Sequence, residues 1–329
     1  MTSIVITGGA GFLGSRLARE LLAAGPLAVA GGEPRPLRRL ALVDQAPVPP
    51  DLASHERVTA VEGDLGDLLA DGADLLAGAD VIFHLAAAVS GECETDFDLG
   101  MRANLRATEL LLAACRALGT NPVVAYSSSL AVFGGSGDHP LPDVVEDHTL
   151  PNPQSSYGVQ KFIGEQLLAD YTRKGFLRGR AVRLPTVSVR PGRPNAAASG
   201  FLSGIIREPL AGQRAACPVG PQTAAAIISP ARATTGLLCA ATSSAQAWGG
   251  RSAVTLPALT VTVADMLAAL ERAAGPAASA LIDWVPEPEV ARLVASWPAR
   301  IRADRAARLG LAPDPDFGSV IRQYLAETR

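Results

Sequence analysis

Three glycines, each three residues after the one before, follow directly on a short β-branched run near the amino terminus. The run is Ser3–Thr7, and Gly8, Gly11 and Gly14 lie in the segment TGGAGFLG. The amphipathic stretch Gly11–Ala24 follows it with the apolar spacing of a helix. Such glycines permit a tight turn, a close approach of backbone to phosphate, and close packing of helix on strand. The order strand, glycines, helix therefore predicts a phosphate-binding turn, with a ligand-free glycine turn as the weaker alternative.

Strand and helix patterns alternate after this turn. Because each crossover between parallel strands lays a helix on the sheet, the alternation predicts an α/β fold with a doubly wound parallel sheet. The tract Ala24–Leu37 is a predicted loop, and the Pro/Gly-rich segment Pro185–Pro230 is predicted to leave the sheet. We expect Ile282–Arg329 to be helical and to pack with that segment as a small carboxy-terminal lobe. The further predicted strands are Leu40–Asp44, Val58–Glu62, Val81–Leu85, Val123–Ser127 and Ala181–Leu184, and the further helices are Leu99–Leu118 and Tyr157–Lys174.

Composition excludes several classes of protein. The chain has 329 residues, 48% of them apolar, which suits a large globular core. Its net charge of -3 gives no attraction to nucleic acid or to an anionic membrane. Its four cysteines form no metal-binding pattern, so we expect reduced thiols and no metal. We see no signal-peptide layout and no apolar stretch long enough to span a membrane, and we expect a cytoplasmic protein.

An acidic residue ends the second predicted strand. A carboxylate there, Asp44, can accept hydrogen bonds from the hydroxyls of an adenosine ribose and would repel the 2′-phosphate of NADP. This favours NAD as the cofactor. The alternatives are that Asp44 merely caps a turn and that the nearby Arg38 and Arg39 allow NADP to bind. At the end of the third strand, Asp64 and Leu65 are expected beside the adenine. The alternative for Asp64 is an ordinary loop carboxylate.

A serine run and a tyrosine–lysine pair supply the candidate acid/base chemistry. Ser129 follows a predicted strand, while Tyr157 and Lys161 are four residues apart and share one helix face. A phenol with an ordinary pKa of about 10 is a poor base at neutral pH. A neighbouring ammonium, with the cationic nicotinamide, would lower that pKa and let Tyr157 take a proton from a substrate hydroxyl. The YxxxK spacing by itself is more often an ordinary surface helix.

The sequence resembles the extended short-chain dehydrogenases/reductases of the epimerase/dehydratase type over nearly its whole length. The matching segments are TGGAGFLG, Asp44, GDL at 63–65, FHLAA at 83–87, Asn104, SSSLAVFG at 127–134 and YGVQK at 157–161. The resemblance implies a Rossmann sheet of about seven strands in an NAD-binding domain, residues 1–185, completed by part of 225–260. It implies a substrate lobe formed by 186–224 and 261–329, and a homodimer through the helices at 99–118 and 157–174.

The same resemblance assigns residues to the site. It makes Ser129, Tyr157 and Lys161 catalytic, with Ser129 orienting the substrate hydroxyl. Asn104 is expected to support the active-site helix. The equally weighted alternative is that it is an ordinary polar residue of a helix. The residues expected at the cofactor are Gly8, Gly11, Phe12, Leu13, Asp44, Asp64, Leu65, Ala86, Asn104, Tyr157, Lys161 and Pro185.

Departures from the family pattern narrow the range of expected substrates. The runs LPTVSVRP at 184–191 and AIISP at 226–230 stand where enzymes acting on sugar nucleotides carry the features that hold a diphosphate. The segment 190–210 and the carboxy-terminal end resemble D-erythronate dehydrogenases. This implies NAD-dependent oxidation of the 2-hydroxyl of a small sugar acid. The run AVFG at 131–134 and Ser90, which follows AAAV, are similar to the corresponding segments of short-chain threonine dehydrogenases.

A small hydroxy acid needs an anchor for its carboxylate. The expected substrate-binding residues, besides Ser129 and Tyr157, are Ser90, Asn195, Ser199 and Arg232, and Arg193 and Arg207 are further candidates. Each arginine alone is more often a solvated surface charge. His84 lies in an apolar strand and is expected to be structural.

Three functions stay open: a sugar-acid or threonine-type dehydrogenase, a sugar-nucleotide epimerase or dehydratase that recycles bound NAD, and an NAD-sensing regulatory protein. An intact serine, tyrosine and lysine set argues against the sensor, which needs no proton transfer.

Overall fold

The computed structural model describes residues 1–71, 74–192 and 197–328, and strands and helices alternate through its first half. The strands are β1 (Thr2–Thr7), β2 (Leu37–Asp44), β3 (Val58–Glu62), β4 (Val81–His84), β5 (Val123–Ser129), β6 (Val145–Glu146), β7 (Arg178–Leu184), β8 (Thr186–Val187), β9 (Ala215–Cys217), β10 (Ala224–Ile228), β11 (Val254–Thr255), β12 (Leu259–Thr262), β13 (Ile282–Trp284) and β14 (Ile301–Arg302).

The helices are α1 (Phe12–Ala23), α2 (Pro50–Ala53), α3 (Leu65–Ala70), α4 (Ser90–Thr95), α5 (Phe97–Gly100), α6 (Ala107–Leu118), α7 (Ser156–Arg173), α8 (Phe201–Leu210), α9 (Pro230–Thr242), α10 (Ala245–Trp248), α11 (Val263–Ala274), α12 (Pro276–Ser279), α13 (Pro288–Ala295), α14 (Asp304–Arg308) and α15 (Phe317–Thr328). A π-helical stretch, Met101–Arg106, joins α5 to α6. In the described part of the chain, no helix combines the length and the apolar character needed to cross a membrane.

The main sheet has seven strands in the order β11-β7-β5-β4-β1-β2-β3, and neighbouring strands are parallel. The predicted doubly wound parallel sheet is therefore confirmed. All six strands predicted from the sequence are present, and their ends differ from the predicted ends by no more than about three residues, within the usual uncertainty of such boundaries. Because the strands run the same way, their carboxyl ends meet along one edge.

Helices cover both faces of this sheet. Along β1, Ile4 and Ile6 face one apolar cluster, which includes Leu17 of α1 and Leu237 of α9. Val5 faces the opposite cluster, with residues of α6 and α7. This alternation follows from the two-residue period of a strand, and burial on both faces explains why Ile4, Val5 and Ile6 are apolar in succession.

The lobe is built from the excursion after residue 185 and the carboxy-terminal part of the chain. Its sheet has the order β12-β10-β8, and β13 pairs with β9 in parallel. Helices α8, α11 and α15 share one apolar cluster. The expectation of an all-helical stretch from 282 onward was wrong, because β13 and β14 pair with partners distant in sequence. The edge strand β11 lies within 225–260, and the division of the chain near residue 185 stays a prediction.

A buried ion pair joins three elements below the carboxyl edge. Glu165 of α7 accepts two hydrogen bonds from Arg183 of β7, at 2.9 and 2.7 Å. It also accepts a hydrogen bond from Ser128 of β5. The side chains of Glu165 and Arg183 are 2% and 7% exposed, so each charge depends on the other for stabilisation.

We expect Glu165→Gln to lower the free energy of unfolding by about 3–5 kcal/mol, because it leaves the buried Arg183 charge uncompensated. The matched control is Asp170→Asn on the same helix. Its ion pair with Arg173 is exposed and should be worth less than about 1 kcal/mol. Urea unfolding followed by circular dichroism measures both, and equal losses would contradict the buried pair's importance.

Candidate active site at the carboxyl edge of the sheet

A cleft of about 600 Å³ runs along the carboxyl edge of the sheet and under the lobe. Most of the residues expected at the site border it. These are Gly8, Gly11, Phe12, Leu13, Asp44, Asp64, Leu65, Ala86, Ser90, Ser129, Tyr157, Pro185 and Ser199. Asn104, Lys161 and Arg232 do not border it, and Asn195 and Arg193 lie outside the described residues.

The glycine turn forms one end of the cleft. Gly8 has a φ of +73°, and a Cβ on it would lie 2.8 Å from the backbone nitrogen of Ala86. A Cβ on Gly14 would lie 2.0 Å from the carbonyl oxygen of Gly8, so only glycine lets α1 approach this closely. Gly11 stands at the N-cap of α1 and has no side-chain cap. The first helical N–H groups can therefore meet a phosphate.

Asp44 fastens the glycine turn to β2. Its Oδ2 accepts hydrogen bonds from the N–H groups of Ala10 and Gly11, at 3.0 and 3.2 Å. Its Oδ1 accepts from Ala46 at 3.1 Å. Oδ1 accepts only this one bond from the described residues and keeps a second lone pair, so Asp44 can still accept a hydrogen bond from a ribose. The carboxylate thus orders the turn as well as lining the cleft.

Asp64 caps α3 and also borders the cleft. Its Oδ1 accepts from the N–H groups of Gly66 and Asp67, and its Oδ2 accepts from Gln45 at 2.6 Å. Asp64 is therefore a structural carboxylate that caps α3, as the simpler alternative expected, and it also borders the cleft. Gln45 itself borders the cleft next to Asp44, and sequence reasoning did not single it out.

Tyr157 and Ser129 both border the cleft and interact with each other. Ser129 ends β5, and Tyr157 lies in the first turn of α7. Burial raises the pKa of Tyr157 to about 12, because the phenolate would lose its hydration. A hydrogen bond with Ser129 and the positive charge of Arg190 act in the opposite direction and lower that pKa.

Lys161 lies behind Tyr157 and is buried. Its Nζ donates to the carbonyl oxygen of Ser127 at 2.9 Å and lies 5.7 Å from the centre of the Tyr157 ring. Burial lowers the pKa of Lys161 to about 8, which leaves most of it protonated at pH 7. The groups that lower the pKa of Tyr157 in this structure are Ser129 and Arg190, whereas sequence reasoning gave that role to Lys161.

Asn104 supports the site from behind the cleft. Its Oδ1 accepts from the N–H of Ala88 at 2.7 Å, and its Nδ2 donates to Gln160 of α7 at 2.8 Å. This links the loop after β4 to the active-site helix. His84 lies between the hydroxyls of Thr7 and Thr108, at 2.7 and 2.9 Å. Burial lowers its pKa to about 3, so it is a neutral, structural side chain.

The lobe side of the cleft contains a cation that sequence reasoning missed. Arg190 borders the cleft, and its Nη2 donates to the hydroxyl of Ser199 at 3.1 Å. Ser90 accepts a hydrogen bond from the N–H of Ala198, which joins α4 to the same segment. The signal was available, because Arg190 begins the 190–210 segment on which the expected substrate class depends. Charge alone did not distinguish it from Arg193, Arg207 and Arg232.

Two of those arginines serve elsewhere. Arg207 donates to the carbonyl oxygen of Arg190 at 2.8 Å and forms an ion pair with Glu208. Arg232 lies in the first turn of α9, away from the cleft lining. The expected role of Arg232 in binding substrate therefore finds no support in its position.

Comparison with known proteins agrees with the fold and the cleft. Residues 4–272 match the model of the NAD dependent epimerase/dehydratase family. The chain belongs to this family. Its cofactor is a nicotinamide dinucleotide, and the resemblance inferred from the sequence motifs is confirmed.

The similar proteins cover nearly the whole chain. It is 50% identical to a D-erythronate dehydrogenase from Cupriavidus necator, over 99% of this chain and 98% of that protein. It is 39% identical to a D-erythronate dehydrogenase from Haemophilus influenzae, over 98% of each. Among solved structures, a nucleoside-diphosphate-sugar epimerase from Agrobacterium tumefaciens has a TM-score of 0.88 and 38% identity, over 99% of this chain and 94% of that one.

Proposed function

We propose that this protein oxidises the 2-hydroxyl group of D-erythronate, a four-carbon sugar acid, to the 2-oxo acid with NAD. The observation that carries the proposal is the full-length similarity to two D-erythronate dehydrogenases, at 50% and 39% identity. The cleft supports it, because it brings Ser129 and Tyr157 together beside a turn suited to a dinucleotide.

The residues of the cleft suit removal of a proton and a hydride from one carbon. A nicotinamide dinucleotide held by the glycine turn and Asp44 would supply the acceptor for the hydride that leaves C2 with the electron pair of the C2–H bond. Ser129 holds the substrate hydroxyl, and Tyr157 takes its proton as the C2–O bond becomes a carbonyl. The hydrogen bond with Ser129 and the positive charge of Arg190 stabilise the phenolate that this transfer requires.

A second function is favoured by one comparison. The solved structure at 38% identity is described as a nucleoside-diphosphate-sugar epimerase. An epimerase would use the same serine and tyrosine but needs groups that hold a diphosphate. The segments 184–191 and 226–230 lack the family's expected features there. We therefore rank sugar nucleotides below sugar acids, and the assay includes both.

We expect NADH to form from D-erythronate, and more slowly from shorter or longer 2-hydroxy acids, as measured by absorbance at 340 nm. Tyr157→Phe should lower kcat by about 100- to 10,000-fold and leave the affinity for NAD unchanged, because only the proton-transferring hydroxyl is lost. Tyr171→Phe, on the same helix, is the control. Turnover of UDP- or dTDP-sugars without sugar-acid activity would favour the epimerase, and preference for threonine would change the substrate alone.

We also propose that the nicotinamide cofactor is NAD, on the position of Asp44 at the end of β2. Asp44→Asn keeps an oxygen for the glycine turn but removes the charge that repels a 2′-phosphate. We expect the ratio of kcat/KM for NAD to that for NADP to fall by about 10- to 100-fold. Asp51→Asn, which neutralises an exposed carboxylate, should leave the ratio unchanged. Equal kcat/KM for the two cofactors in the unmodified enzyme would contradict the assignment.

We further propose a homodimer through α7 and the helical stretch 97–118, which comprises α5, the π-helical stretch and α6. Phe97, Val159 and Ile163 are large apolar side chains exposed on these helices, at 60%, 42% and 37%. We expect light scattering to give twice the chain mass of 33.9 kDa. Val159→Glu combined with Ile163→Glu should give the monomer mass, because buried unpaired carboxylates oppose association. Leu150→Glu, at an exposed apolar position outside the helices, is the control, and a monomeric unmodified protein would contradict the proposal.

A further inference from the structure

The backbone of Arg190 is held by hydrogen bonds at both its N–H and its carbonyl oxygen. Its N–H donates to the hydroxyl of Ser203 at 3.1 Å, and its carbonyl oxygen accepts from Arg207 at 2.8 Å. Ser203 lies on α8 and is 1% exposed. A side chain supported in this way keeps its direction, which is what a binding group requires.

Among the described residues, the guanidinium of Arg190 donates hydrogen bonds to neutral groups only. Its Nε donates to the carbonyl oxygen of Val187 at 3.0 Å, and its Nη2 donates to Ser199. Nη1 has no acceptor, and no carboxylate pairs with this charge, among the residues that the structure describes. Two other buried arginines, Arg183 and Arg207, each form an ion pair with a glutamate. Arg190 therefore presents an unneutralised charge at the cleft.

This charge lies close to the reacting group. Arg190, its hydrogen-bond partner Ser199, and the pair Ser129 and Tyr157 all border the same cleft. The positive charge of Arg190 lowers the pKa of Tyr157, as expected for a cation near the phenol. In a 2-hydroxy acid the carboxylate is bonded directly to the carbon that carries the reacting hydroxyl. A cation beside Tyr157 thus matches that acid. The diphosphate of a sugar nucleotide lies several bonds from the reacting carbon and requires a more distant cation.

We propose that Arg190 binds the substrate carboxylate and thereby selects 2-hydroxy acids, placing the C2 hydroxyl at Tyr157 and Ser129. The proposal rests on the proposed function for its substrate class. Arg190 and a carboxylate form charge-assisted hydrogen bonds in a partly desolvated site, where they are strongest. Ser199 accepts from the same guanidinium and keeps its own hydroxyl hydrogen for the ligand. Arg207 acts as a positioning residue through the backbone of Arg190.

The test compares D-erythronate with its uncharged amide. In the unmodified enzyme we expect the acid to have the higher kcat/KM. Arg190→Gln should raise KM for the acid by about 10- to 100-fold and leave the amide nearly unchanged, so that the preference for the acid disappears. Arg190→Lys should keep part of the preference, because it retains the charge and loses the fork geometry. Arg173→Gln, which removes an exposed cation, is the control.

Two readouts separate binding from a structural role. The affinity for NADH, followed by fluorescence, should be equal in all variants. The pH profile of kcat/KM should shift to higher pH in Arg190→Gln, because loss of the cation raises the pKa of Tyr157. A preference for the acid that persists in Arg190→Gln, or equal losses for acid and amide, would overturn the proposal.

A binding measurement separates this proposal from the proposed function. Oxalate is titrated into the unmodified enzyme and the variants, each saturated with NADH. We expect its Kd to rise by about 10- to 100-fold in Arg190→Gln and not in Arg173→Gln. If no sugar acid is oxidised and this difference is still found, the proposed function fails and the anion site stands. An equal Kd in all variants overturns the anion site, whatever the enzyme oxidises.

Discussion

Parallel strand pairing is the constraint on which the rest of this molecule depends. It brings the carboxyl ends of the main strands to one edge, where the lobe covers them. The glycine turn after β1, Asp44 at the end of β2 and Ser129 at the end of β5 become neighbours for this reason. The close approach at Gly14 then places the amino end of α1 at the same edge. Each of these groups lies at the site because its strand ends there or because the first turn of its helix lies there.

Burial of charge sets the chemistry available at that edge. Exclusion of water raises the pKa of Tyr157 and lowers that of Lys161, so each group is moved away from its charged form. Ser129 and Arg190 act against the first of these shifts. Below them, Glu165 and Arg183 neutralise each other. Arg190 borders the cleft and has no carboxylate partner among the described residues, so its charge is available to an anionic ligand.

The sequence predicted elements best where periodicity and special residues agreed. The six strands and the helix that begins near Tyr157 are examples, because buried strands and a capped helix leave strong local patterns. It failed at β13 and β14, which are two or three residues long and depend on partners far away in sequence. It also ranked Arg232 above Arg190, because an arginine looks the same in sequence whether it faces solvent, a helix or a cleft.

The sequence by itself determined the glycine turn, the strand-end Asp44, and the pair Tyr157 and Lys161 on one helix face, since each follows from local geometry. Only the tertiary structure decided what surrounds them. It placed Asn104 behind the cleft, where its side chain donates a hydrogen bond to Gln160, and it placed Lys161 where its ammonium donates to the carbonyl oxygen of Ser127. These outcomes depend on burial and on contacts between residues far apart in the chain, and local spacing contains no information about either.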